Sequence, residues 1–165
     1  MREPANIILG LSLGTRHIGF AILKDNEIRD RRVKTFPDTW SELKLRVIQS
    51  TLKKIIQRHG ISVIAIKATH PSRSSVGLNK VLQAIDAISH DSGIPVYSYP
   101  IEELERYYSR ERHVNKEVLM DAVLAEYPEM IFEHTKEQSR KNPYYVRVFE
   151  AIAAARLCSQ ENDIP

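Results

Sequence analysis

Residues Ile7-Ile-Leu-Gly-Leu-Ser-Leu-Gly-Thr-Arg-His-Ile-Gly-Phe-Ala-Ile-Leu23 place two apolar runs around the tetrapeptide Gly14-Thr15-Arg16-His17. Short runs this rich in isoleucine and leucine, broken by a polar segment with glycine, predict two buried strands joined by a tight, glycine-assisted turn. A buried hairpin at the start of the chain needs a sheet to join and helices to cover it, so the remaining sequence is read for both.

Asp25-Asn26 supplies a turn into a third strand over residues 27–36. Its Arg29, Arg31, Arg32 and Lys34 suit a sheet edge better than a centre. Pro37-Asp38-Thr39 opens a helix, with Thr39 and Glu42 at capping-box spacing. Trp40, Leu43, Val47, Ile48, Leu52, Ile55 and Ile56 form its apolar face to about His59, and Gly60 falls just past its end. The β-branched run 61–66 predicts a central strand, and residues 67–75 a polar loop at its carboxyl end. A second helix carries Val76, Val81, Leu82, Ile85 and Ile88 and stops before Gly93; residues 94–99 form a fifth strand.

A short helix with Ile101, Leu104, Tyr107 and Tyr108 follows, then a basic loop at 110–113 and a helix with Val118, Leu119, Ala122 and Val123. Residues 128–141, polar and mixed in charge, read as a surface loop. Asn142-Pro143 has the pattern of a cap and first-turn proline for a last helix bearing Val146, Phe149, Ile152, Ala153 and Arg156.

Short turns imply antiparallel strands and helical crossovers imply parallel ones. The expected fold is therefore α/β: a mixed five-stranded sheet, three antiparallel strands then parallel ones, with helices on both faces. At 165 residues, 42% of them hydrophobic, one domain with a core over about 6–158 is expected. No apolar run approaches the roughly 20 residues of a membrane span, and no leader pattern is seen. The single Cys158 leaves no internal disulfide and fits a reducing cytoplasm. A net charge of +3 is compatible with nucleic acid without requiring it.

Three segments carry a family resemblance. The turn Gly10-Leu-Ser-Leu-Gly-Thr-Arg16, the strand Val63-Ile-Ala-Ile-Lys67 and the helix Phe149-Glu-Ala-Ile-Ala-Ala-Ala155 resemble, in that order, landmarks of the RuvC Holliday-junction resolvases and related YqgF-type nucleases. Both belong to the ribonuclease H-like superfamily, and the likeness runs from about Ile7 to Leu157. It implies cleavage of branched DNA by divalent metals held on about four carboxylates. Matched residue by residue, those positions here are Ser12, Lys67, Arg147 and Glu150. Glu150 alone keeps a negative charge, and two positions have become cationic. Magnesium demands hard oxygen ligands, and nearby cations repel it. Two-metal cleavage is therefore expected to be lost and no cofactor is expected; Mg2+ or Mn2+ belongs only to the nuclease alternative.

Two readings of the altered centre stand side by side. Ser12 bonds to backbone and Lys67 reaches solvent along its stem, or Lys67 takes the metal's place and pairs with Glu150. The six histidines show no metal-ligand spacing. Glu102, Glu103 and Asp86 read as solvated helix acids, and Cys158 as a small core residue.

Arg16, Arg73, Arg110, Arg112, Lys116, Arg140 and Lys141 are the candidate nucleic-acid contacts, on segments expected near one sheet end. Tyr144 and Tyr145 are either stacking platforms or core. In the resembled family the helix matching 76–88 helps form a dimer, which is carried as an expectation here. Three functions follow: a binder of branched or structured DNA that does not cut, a metal-dependent nuclease using Glu150 and acids from elsewhere, or a protein-interaction module.

Overall fold

The computed structural model describes residues 6–108 and 115–162. Strands β1 (Ile7–Ser12), β2 (His17–Lys24), β3 (Glu27–Thr35), β4 (Val63–Ala68) and β5 (Val96–Pro100) form one sheet in the order β3-β2-β1-β4-β5. β1, β2 and β3 are antiparallel neighbours, while β4 runs parallel to β1 and to β5. Asp25 and Asn26, at φ 54° and 61°, make the β2–β3 turn, whose handedness suits a two-residue hairpin. β3 is an edge strand, as its basic composition predicts.

The crossovers are α1 (Glu42–His59) and α2 (Val76–Ser92), closed by Gly60 and Gly93 in the left-handed conformation. Strand alternation divides the core. Leu9, Leu11, Phe20, Ile22, Ile64 and Ile66 pack with Ile48, Leu52, Val81 and Ile85 of α1 and α2. Ile8, Ala21, Leu23, Val63 and Ala65 pack with the opposite layer. That layer holds α3 (Ile101–Tyr108), α4 (Lys116–Glu126), α5 (Ile131–Gln138) and α6 (Val146–Glu161).

α6 lies directly on β1 and β2. A Cβ at Gly10 would stand 2.0 Å from the carbonyl oxygen of Ala151, so only glycine permits this approach. Ala151, Ala153, Ala154 and Ala155 are fully buried, which is why a small-residue helix fits against the sheet. Cys158 is buried among them, where desolvation raises its thiol pKa.

Several local expectations need correction. α1 is capped by Ser41, whose side chain accepts from Lys44 N, instead of by Thr39. Trp40 therefore precedes the helix and covers Gly77 of α2. Leu43 and Val47 are 69% and 48% exposed, while Lys44 turns inward and donates to the Asp38 carbonyl at 2.6 Å. In α2, Val81, Ile85 and Ile88 are buried in the core and Val76 is exposed.

Residues 128–141 are no loop: a 3-10 turn (Pro128–Met130) leads into α5. Met130 and Glu133 anchor it, Glu133 accepting from Arg31 Nε of β3 at 2.5 Å. An ion pair to a distant strand gives a short helix no apolar periodicity to read.

Candidate nucleic-acid interface

Ser12 ends β1 and is paired in register with Lys67 of β4. Strand alternation puts both side chains on the α6 side. Glu150, one turn into α6, is 3% exposed and faces them. Ser12 Oγ donates to Glu150 Oε1 at 3.2 Å, and Lys67 Nζ lies 3.1 Å from Oε2. The ammonium neutralises Oε2 without forming a well-directed hydrogen bond to it. Lys67 thus pairs with Glu150 and does not extend into solvent; Ser12 bonds to a side chain and not to backbone.

Arg147 precedes Glu150 by one helical turn and is half-buried. Burial lowers its pKa, Glu150 opposes that shift and Arg73 adds to it. Its guanidinium occupies the space beside Gly14, where a Cβ would lie 2.9 Å from Nη2. Positive φ among the described glycines is confined to Gly60 and Gly93. Gly14 therefore provides room for Arg147, and the β1–β2 turn makes no use of a left-handed glycine.

His17 opens β2, with Nδ1 3.1 Å from Thr35 Oγ1 and its ring edge-on to Tyr144 at 5.2 Å. Burial lowers its pKa first, and Arg147, Arg16 and Arg140 lower it further. The Arg140 guanidinium lies 4.6 Å over the Tyr144 ring. Arg16, Arg73, Arg140 and Arg147 thus share one field. Among the described residues, none of the four has a carboxylate oxygen within 4.0 Å. Lys116 and Lys141 line a hollow next to Arg140. Arg110 and Arg112 lie outside the described residues.

The segment carrying Arg140 and Lys141 is pinned by a residue that the sequence reading passed over. Glu137 accepts from the backbone N–H groups of Tyr144, Tyr145 and Val146, at 3.0, 3.1 and 2.7 Å. Its carboxylate, and not Asn142, satisfies the amino terminus of α6, where negative charge is favoured.

Glu105 is a second omission. Burial raises its pKa, Glu102 and Glu150 raise it further, and Lys116 opposes them. Glu105 therefore feels the charge of the Glu150 centre, while Glu102, Glu103 and Asp86 are exposed. Its signal in the sequence is weak, one of three glutamates on a short charged helix.

This donor set does not fit a divalent metal. Its one immediate carboxylate is engaged by Lys67, and Arg147 adds a second cation nearby. Among the described residues no three His, Cys, Asp or Glu side chains are grouped to hold an ion. No described helix is long and apolar enough to cross a membrane.

No family profile matches the sequence, and no curated protein matches it. Solved structures match it in fold. Thermus thermophilus RuvC superposes with a TM-score of 0.71 at 15% identity, over 96% of this chain and 97% of that one. T. thermophilus RuvC in complex with Holliday junction substrate gives 0.66 at 16% identity, over 91% and 90%. Fowlpox virus resolvase with its substrate Holliday junction DNA gives 0.56 at 12%, over 96% and 99%. The mixed sheet and its helical layers are thus the ribonuclease H-like fold in the arrangement of these resolvases.

Proposed function

We propose that this protein binds branched or structured nucleic acid, DNA before RNA, at the carboxyl end of β1 and β4, and does not cut it. The observation that carries this reading is the contrast at that sheet end. Arg16, Arg73, Arg140 and Arg147 share one field with no carboxylate oxygen within 4.0 Å among the described residues, while Glu150 is buried and neutralised by Lys67. Crowded, unpaired cations repel one another in the free protein and are relieved by a polyanion. A carboxylate held by Lys67 is withdrawn from metal binding. That two of the resolvases sharing the fold were solved with Holliday junction DNA makes a four-way junction the first substrate to offer.

The lone, buried Cys158 is in keeping with a reducing cytoplasm. Dimerisation over α2 belongs to the same reading. Lys80 of α2 pairs with Glu42 of α1 at 2.5 Å, which sets the exposed Val76, Leu43 and Val47 on neighbouring helices. Sedimentation of a Val76→Glu, Leu43→Glu variant tests it, and an unchanged molecular mass would remove the dimer from this reading.

The decisive assay is a gel shift on a four-way junction and a matched linear duplex, with and without Mg2+ or Mn2+, scoring binding and cleavage together. Junction binding without cleavage supports the proposal. Metal-dependent cleavage that Glu150→Gln abolishes would replace it with a nuclease whose acids have moved.

A further inference from the structure

Four aromatic rings form a continuous series that begins at His17, the first residue of β2. His17 meets Tyr144 at 5.2 Å, Tyr144 meets Tyr145 at 4.8 Å, and Tyr145 meets Phe132 of α5 at 6.2 Å, each pair close to perpendicular. Cations cap the series: the Arg140 guanidinium lies 4.6 Å over Tyr144, and Lys136 Nζ lies 5.7 Å over Phe132. Tyr144, Tyr145 and Phe132 line one groove with Arg29 and Arg32 of the edge strand.

Phe132 does not behave as a core residue. It is 56% exposed, on a helix that buries Glu133 instead. Ile131 beside it is also exposed, at 57%, so the bland alternative is an apolar patch for a protein. Charge decides between them. The acids of the groove are already matched, Glu133 by Arg31 and Asp30 by Arg32 at 3.5 Å and His59 at 3.7 Å. Lys136 and Arg140 have no carboxylate within 4.0 Å among the described residues. The arginines that line the groove are themselves paired, Arg29 with Glu27, Arg31 with Glu133 and Arg32 with Asp30. The cations left for a ligand are therefore Lys136 and Arg140, which lie over the Phe132 and Tyr144 rings. Rings carrying such cations are complementary to a chain that alternates flat apolar faces with anions.

A single nucleic-acid strand is such a chain, and a duplex is not, because pairing hides base faces inside its stack. We propose that the Tyr144–Tyr145–Phe132 ladder, with Arg140 and Lys136, holds an unpaired strand leading away from His17. This rests on the nucleic-acid reading above and specifies its substrate: a branch or tail with an unpaired arm, beyond a fully paired junction.

The test is anisotropy titration of the intact protein against four labelled DNAs: a single strand, a blunt duplex, the same duplex with a single-stranded tail, and a fully paired four-way junction. The tailed duplex should bind more tightly than the blunt one. Phe132→Ala, and Phe132→Leu as a variant that keeps apolar volume, should each lose about tenfold on the single strand and the tail. Both should leave the paired junction unchanged, and Phe132 is exposed enough for both to fold. A bromouracil-bearing tail should photocrosslink to the peptide containing Phe132 or Tyr145.

Equal single-strand affinity in wild type and both variants overturns the ladder while leaving junction binding intact. Tail binding that depends on Phe132, without junction affinity, keeps the ladder and removes the junction. Absence of binding to all four DNAs overturns both and returns the patch to a protein partner.

Discussion

Lys67 Nζ stands 3.1 Å from Glu150 Oε2, so a buried carboxylate on α6 is neutralised by an ammonium from the end of β4. The two side chains are 18% and 4% exposed, and Ser12 supplies the hydrogen bond to the other oxygen. A charge pair of this kind breaks roughly even against an apolar replacement of both partners, but removing one partner leaves the other stranded. That asymmetry makes the centre open to measurement.

Lys67→Met should therefore destabilise the protein by about 2–4 kcal/mol, the lower side of the buried-pair range because Lys67 is partly exposed. For a chain this long that is about 5–12 °C in Tm. Lys67→Met combined with Glu150→Leu should recover most of the loss, and a double-mutant cycle by thermal melting isolates the pair. Lys67→Glu should be worse than Lys67→Met, because two carboxylates then meet without a cation. Millimolar Mn2+ should restore part of that loss only in the glutamate variant. Unchanged melting of Lys67→Glu would show that the pair contributes nothing.

Much of this was legible in the sequence, for a physical reason. Strands buried on both faces, such as Ile7–Ser12 and Val63–Ala68, leave uninterrupted apolar runs, and Gly60 and Gly93 mark helix ends that need left-handed backbone. The convergence of Ser12, Lys67 and Glu150 follows once strand order and a last helix are assigned. What escaped was set by polar partners outside the element concerned. α5 is held by the Arg31–Glu133 contact, the α6 terminus is satisfied from Glu137, and Lys44 displaces Leu43 from the core face of α1 because a backbone carbonyl receives its ammonium. None of these leaves a local periodic trace.

The Glu137 contact yields a second expectation. One carboxylate serves three backbone donors at the start of α6, replacing a conventional cap and adding charge complementary to the helix dipole. Glu137→Ala should cost about 1–2 kcal/mol, and Glu137→Gln less, since an amide oxygen still accepts. Hydrogen exchange should accelerate at Tyr144, Tyr145 and Val146 in the alanine variant. DNA affinity should fall with it, because the same segment positions Arg140. Unaltered exchange at those three amides would rule the cap out.

His17 supplies a pH dependence with a definite sign. Burial, then Arg147, Arg16 and Arg140, hold its folded pKa below the ordinary 6.5. The unfolded chain thus takes up the proton first as pH falls. Stability from this group is complete above about pH 6.5 and is lost as pH drops toward the folded value. A bound polyanion offsets the arginines and raises the pKa, so binding takes up a proton and DNA affinity should increase on acidification through the same window. NMR titration should place the His17 midpoint below 6.5 and move it upward in Arg147→Gln. His17→Gln should flatten the pH dependence of affinity, and a profile identical to wild type would remove His17 from the interface.

The unpaired arginines carry the last expectation, and salt is the variable that reads it. Each phosphate neutralised by a cation releases counterions, so affinity for duplex or junction falls steeply and linearly in logarithmic salt. Arg73 and Arg140 are exposed and have no carboxylate within 4.0 Å among the described residues. Replacing either by alanine should reduce the slope by about one and weaken binding about equally across sequences. Arg31, held by Glu133 at 2.5 Å, is the matched control. Its loss should lower stability, by freeing a buried acid, and leave the slope unchanged. If Arg31→Ala shifts the slope as much as Arg73→Ala, the DNA runs along β3 instead of across the end of β1 and β4.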